Sequence, residues 1–331
     1  MYHHYFQLPP IMEVNRDLAK FDQIVADKHL YYPSKHLITS AQLYKKYKTR
    51  LSQLKQTKVT LIEEACLEDI PTIKKDNPGG NALVVGFGGG RIIDVTKYYA
   101  SLEHLAYIAL PSTLSHDGIF SQAAVLHHRG SKKKLRIDVQ PPLGVIVDIE
   151  VAQQSPRLQI LSGIGDLVSN VSALDDWKLA QETKGEEINS FAYTLAHMAV
   201  YSLLNYQEYD IYSDKYLSKL AYGLIISGMA MTIAGNSRPA SGSEHAISHA
   251  IDELYPEKST FHGIQVAYGC LLVAKRFRPH RLQLYEEYFS HVGLLKVITD
   301  WMPFTENQIN KILHHALHIR DRYTILSDKA A

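Results

Sequence analysis

A change of rhythm near residue 150 narrows the fold more than any other feature of this chain. Before it, short apolar runs at 36–39 (HLIT), 58–62 (KVTLI), 82–85 (ALVV), 105–110 (LAYIAL) and 144–147 (GVIV) read as strands, and polar-faced segments such as 41–53 separate them. Strands alternating with helices predict a mainly parallel sheet covered on both faces. Between the last two runs, 123–126 (AAVL) and 135–138 (LRID) flank a polar stretch, 127–134, which predicts a hairpin with a basic tip at Lys132, Lys133 and Lys134. A solvated turn explains that tip better than a phosphate contact. After Pro156, the segments 157–179, 186–205 and 215–234 carry apolar residues at helical spacing, which predicts an all-helical second half. Pro156 and the loss of strand alternation put the boundary within 149–156, giving domains 1–152 and 153–331.

Composition excludes several classes of function. At 331 residues and 46% hydrophobic, the chain is long enough to bury the cores of two domains. Its 35 basic and 34 acidic side chains leave a net charge of +1, so no basic field attracts nucleic acid or an anionic membrane. Cys66 and Cys270 are too few for a disulfide framework and lack metal-ligand spacing, which fits buried thiols in a reducing compartment. No secretion signal is expected, and no apolar run is expected to reach spanning length. The expectation is a soluble, cytoplasmic protein.

Two groups of residues carry chemistry. Residues 82–97 (ALVVGFGGGRIIDVTK) read as a buried strand, a glycine turn and a helix opening. Backbone amides of Gly88, Gly89 and Gly90 can approach an anion such as a pyrophosphate at the helix N-terminus, although the same run also serves a plain turn. It is not the GxGxxG fingerprint of doubly wound dehydrogenases. Elsewhere, Asp166 in GIGD, His245 in SGSEHAISH and His262 in FHG supply one carboxylate and two imidazoles, a set suited to zinc or iron with an open coordination position. Read alone, Asp166 also fits a helix N-cap after Gly165. His245 and His249 stand four apart and share a face if helical, though either also fits a hydrogen-bonded core histidine. His262 follows a loop at 255–261 and opens a possible helix. His3, His4, His127, His128, His314, His315 and His318 receive no role.

Six motifs in one order now carry a resemblance: GGGxxxDxxK at 88–97, SxxSHDGxxS at 112–121, GIGDLxSN at 163–170, DWKLA at 176–180, SRPASGSEHxxSH at 237–249 and HGxQV at 262–266. Over about 79–269 the chain resembles the sn-glycerol-1-phosphate dehydrogenase family, of the superfamily of iron-containing alcohol dehydrogenase, glycerol dehydrogenase and dehydroquinate synthase. The resemblance implies a dehydroquinate synthase-like fold, with a Rossmann-like α/β domain binding the nicotinamide dinucleotide and a helical domain holding metal and substrate. It implies Asp166, His245 and His262 as metal ligands and His249 and Asp117 as catalytic substrate contacts. The implied cofactor site is Gly88, Gly89, Gly90, Arg91, Asp94, Lys97, Ser112, Thr113, Ser115 and Ser121.

What it implies in chemistry is metal-assisted hydride transfer between dihydroxyacetone phosphate and sn-glycerol 1-phosphate, or a close polyol phosphate, in phospholipid biosynthesis. The metal is expected to be zinc, with iron and nickel as alternatives, and a homo-oligomer is implied. Two departures stand out. Ser112 follows Pro111 where the family usually has threonine, which keeps a hydroxyl. No carboxylate follows the first strand at Ser40 and Ala41, and Lys45 or Lys46 nearby would favour NADP, whereas Glu63 and Glu64 argue for NAD. The choice between NAD and NADP stays open. Arg238 is a candidate phosphate clamp and equally a capping or packing residue. The alternatives are a dehydroquinate-synthase-like cyclase, which usually presents glutamate where this chain has Asp166, and a catalytically silent relative acting as a binding module.

Overall fold

The computed structural model describes residues 9, 11–14, 17–131 and 134–330; His3, His4, Lys132 and Lys133 lie outside them. The chain divides into two compact units. One comprises Met1–Leu114 and Gly118–Ser155, the other Ser115–Asp117 and Pro156–Ala331. The short piece Ser115–Asp117 therefore groups with the helical unit although it lies in the strand-bearing half of the sequence.

In the first unit the strands are β1 (Ile11–Val14), β2 (Lys35–Thr39), β3 (Thr57–Leu61), β4 (Leu83–Gly88), β5 (Tyr107–Pro111), β6 (Ala123–His127), β7 (Lys134–Asp138) and β8 (Gly144–Val147). Six of them form one parallel sheet in the order β1-β8-β5-β4-β2-β3. Both faces are covered: along β4, Leu83, Val85 and Phe87 enter one apolar cluster and Val84 enters the other, as a period of two requires. Strands β6 and β7 pair antiparallel as the expected hairpin. Strand β1 was not expected from sequence. Its four residues are too few to show alternation, and pairing with β8 is what makes them a strand.

Beyond Ser155 the described residues form helices and turns. The segment 157–179, with its helical spacing, falls within two helices, Arg157–Val168 and Asn170–Lys184, which meet at Ser169. The Ser169 hydroxyl donates to the Asp166 carbonyl at 2.6 Å, a local bond that competes with helix continuation. The helix Ser190–Leu204 starts later than expected, at an Asn189 cap that accepts from the Ala192 amide. The helix Asp214–Ala234 is, by length and composition, long and apolar enough to cross a bilayer, which corrects the expectation from sequence. More than half of its apolar window is buried inside the protein, where Leu217, Leu220, Leu224 and Ile225 have no exposed surface, as in the core helix of a bundle.

Candidate active site

Two helices of the helical unit approach so closely that only glycine fits between them. A Cβ on Gly165 would lie 2.2 Å from the Gly263 carbonyl oxygen, and one on Gly263 would lie 1.8 Å from that of Ser162. This contact presses Arg157–Val168 against His262–Phe277, so Asp166 in the last turn of the first helix meets His262, the first residue of the second. Asp166 thus lies near the C-terminal end of its helix and is not an N-cap. His245 comes from the first turn of a third helix, Ser243–Leu254.

The three side chains have ligand atoms all within 4.8 Å of one another. His245 Nε2 stands 3.7 Å and His262 Nε2 3.6 Å from Asp166 Oδ1. These separations are too long for good hydrogen bonds, yet close to the ~3.4 Å between tetrahedral ligands that each lie about 2.1 Å from zinc. The donor set fits a divalent ion. Burial alone would raise the Asp166 carboxyl, but the close approach and the charge of His245 hold it below its usual range. Burial, aided by the charge on His245, drives His262 well below its usual range, so it offers a neutral nitrogen. Burial opposes charge on His245 too, but Asp166 and Glu244 outweigh it and push its pKa up to about 9.

Glu244 escaped the sequence reading. It is fully buried, and its Oε1 lies 2.9 Å from His245 Nδ1 while accepting the Gly242 amide at 2.6 Å. A carboxylate on Nδ1 fixes the ring and leaves Nε2 facing Asp166. Behind it, Asp176 accepts from the Ser243 amide at 2.6 Å, Arg278 at 2.7 Å and the Ile325 amide at 2.9 Å, tying three distant segments to the turn that carries His245. The one signal available in sequence was adjacency: Glu244 stands directly beside the candidate ligand His245.

The two expected substrate contacts lie beside the triad. The Asp117 amide donates to Asp166 Oδ2 at 2.8 Å, leaving Oδ1 to face the histidines. Asp117 Oδ2 in turn accepts from Ser227 at 3.0 Å, and Asn170 Nδ2 donates to the same hydroxyl at 3.1 Å. The His249 ring lies 6.1 Å from the His262 ring. Its Nε2 is 3.1 Å from Arg320 Nη2, and because a guanidinium only donates, the His249 proton sits on Nδ1. Arg238 is 4% exposed, pairs through two nitrogens with Glu186, and donates to the Tyr323 carbonyl. The structure places it in packing.

In the sheet unit, Gly89 caps the helix Gly90–Leu102 without any side-chain hydrogen bond, so its first amides are not capped by a side chain. A Cβ on Gly89 would meet only Thr113 Oγ1, at 3.7 Å, and the Ser112 amide donates to the Gly88 carbonyl at 2.9 Å. Gly88, Gly89, Gly90, Ser112 and Thr113 are therefore brought together, with Arg91 exposed on the same first turn. Asp94 and Lys97 are buried and pair at 3.3 Å, and Lys97 also donates to the carbonyls of Gly118 and Ala123. The Ser121 hydroxyl approaches the same Ala123 carbonyl at 3.5 Å. Ser115 belongs to the helical unit, where its carbonyl accepts from Ser162 at 2.9 Å.

Comparison with known proteins places this arrangement. The sequence signature of the iron-containing alcohol dehydrogenases matches residues 16–156. A glycerol-1-phosphate dehydrogenase [NAD(P)+] of Saccharolobus islandicus is 34% identical over 98% of this chain and 93% of its own. The enzyme of that name from Pyrococcus furiosus is 38% identical over 65% of this chain and 62% of its own. Among solved structures, glycerol dehydrogenase from Schizosaccharomyces pombe shares the fold with a TM-score of 0.78 at 19% identity, covering 98% of this chain and 85% of that one.

Proposed function

The chain belongs to the glycerol-1-phosphate dehydrogenase family of NAD(P)-linked, metal-dependent oxidoreductases, and on that premise we propose that it interconverts dihydroxyacetone phosphate and sn-glycerol 1-phosphate. The observation that carries this reading is the triad of Asp166, His245 and His262, with its separations of 3.6 and 3.7 Å. When bound, the metal supplies positive charge at the reacting carbonyl oxygen and the nicotinamide supplies or accepts the hydride.

This chain's own residues do the rest. Asp166, His245 and His262 hold the ion, zinc in our reading, and Glu244 orients His245 from behind. Asp117, anchored by Ser227, accepts a hydroxyl of the substrate. His249, its Nε2 engaged by Arg320 and its proton on Nδ1, serves the proton relay. Amides of Gly88 to Gly90, with Thr113 beside them, cradle the cofactor pyrophosphate. We assign residues 1–152 to the dinucleotide and 153–331, joined by Asp117, to metal and substrate. The free, buried Cys66 and Cys270 fit the cytoplasm as its compartment.

The test is reduction of small ketose phosphates by NADH and by NADPH, with metal content measured before and after chelation. Turnover of dihydroxyacetone phosphate that chelation abolishes and zinc restores is expected. Turnover that survives complete chelation overturns the metal assignment. Phosphate release without net change in nicotinamide absorbance makes the protein a cyclase instead.

A further inference from the structure

We propose that Arg320 and Arg322, with the hydroxyls of Ser237 and Ser241, form the phosphate-binding end of the substrate site and take the phosphomonoester of the ketose or polyol phosphate. The assignment rests on the reading above that the substrate is phosphorylated. It replaces Arg238, whose guanidinium is matched by Glu186.

Two guanidinia converge on the same pair of serines. Arg320 Nη1 donates to Ser241 Oγ at 2.9 Å and to Ser237 Oγ at 3.3 Å, while Arg322 Nη2 donates to Ser237 Oγ at 3.0 Å. Arg322 also holds the Ser241 carbonyl. Like charges gathered so closely repel. Burial, with the charges of Arg320 and Arg238, lowers Arg322 to about 10, only partly offset by Glu244 and Glu186. A phosphomonoester carries about −1.5 to −2 charges and three strong acceptor oxygens, which answers two guanidinia where a carboxylate would answer one. An open recess of about 530 Å³ is lined by both arginines together with Lys184, His318, Asp321 and Tyr323.

The position relative to the metal triad suits a three-carbon substrate. From the His262 ring it is 6.1 Å to the His249 ring, and from His249 Nε2 a further 3.1 Å to Arg320. In dihydroxyacetone phosphate the carbonyl carbon is three bonds from phosphorus, on the order of 4 Å. A single imidazole thus separates the metal ligands from the guanidinium, the spacing needed for one small molecule to reach both.

The test uses the metal-loaded full chain and two readouts. In kinetics, Arg320→Gln is expected to raise KM for dihydroxyacetone phosphate about 10²-fold, the loss of a charge-assisted hydrogen-bond pair, and to affect unphosphorylated dihydroxyacetone at least tenfold less. Arg320→Lys is expected to recover part of the loss. In calorimetry, inorganic phosphate is expected to bind the wild type and to lose that binding in Arg320→Gln. Equal losses on both substrates with a lowered melting temperature would show that the arginines only stitch the C-terminal segment to the loop at 237–241, and would overturn the proposal. So would phosphate binding that the substitution leaves unchanged. If the wild type turns over neither substrate, the functional reading falls, and calorimetry still decides the anion site. Should Arg320→Gln not fold, Ser241→Ala carries the same two readouts, with an expected loss of about three- to tenfold.

Discussion

The two candidate sites, one in each unit, are built from contrasting materials. In the sheet unit buried charges find partners within the unit, as Lys97 does in Asp94 and Asp148 in Arg50, and what remains at the glycine turn is backbone. In the helical unit, buried charges are stacked behind one another toward a single point: Asp176 supports the turn of Glu244, Glu244 holds His245, and His245 faces Asp166. A backbone site asks for absent side chains and for a helix opening. A side-chain site asks for particular groups at particular distances. The first kind is damaged by adding atoms and the second by removing them.

The sharpest way to break this contrast is to remove one ligand from the helical unit. His262→Ala is expected to lose most bound metal and to cut turnover by about 10²- to 10³-fold or more, with the sheet unit still folded. Full metal occupancy by elemental analysis in that variant contradicts the triad.

A smaller effect separates the units by pH. In the sheet unit His36 has no exposed surface, and its Nε2 lies 2.8 Å from Thr60 Oγ1. Burial, opposed by the charge of Asp76, lowers its pKa from 6.5 to about 4. A depressed histidine stabilises the fold while neutral, so its contribution is complete above pH 6.5 and is lost as pH falls from 6.5 towards 4. The full loss is on the order of 3 kcal/mol. Thermal melts across that window are expected to slope downward in the wild type and to flatten in His36→Gln. Equal slopes in both proteins would remove His36 as the cause.

The smallest effect tests the backbone site by addition. Gly89 has an ordinary φ of −75° and only an ordinary contact with Thr113 Oγ1 at its Cβ position, so Gly89→Val is expected to leave fold and metal content intact. The added methyls lie where a pyrophosphate would approach, and the cofactor Kd is expected to rise about tenfold or more. Unchanged affinity by titration reduces the glycine run to a turn. Gly88→Ala makes a poor substitute probe, because its Cβ would strike Ile92 at 2.5 Å and damage packing first.

Much of this was readable in the chain because it is local. Five of the sheet's strands, the hairpin, the glycine turn and the helical second half follow from periodicity and turn residues over short windows. The histidine pair and the helix opening at His262 were equally visible, since four-residue spacing is a property of one helix. The sheet order, strand β1, the break at Ser169 and the grouping of Ser115–Asp117 with the helices were not. Nor was the fate of each charge. Arg238 reads equally as a phosphate clamp and as a packing residue until Glu186 arrives from a different segment, and nothing local singles out Arg320 before His249 and two serines meet it. Local pattern determines which elements form, because backbone geometry repeats over a few residues. Only the packed structure decides whether a charged group answers a neighbour or a ligand, because that depends on which opposite charge, brought from far along the chain, reaches it first.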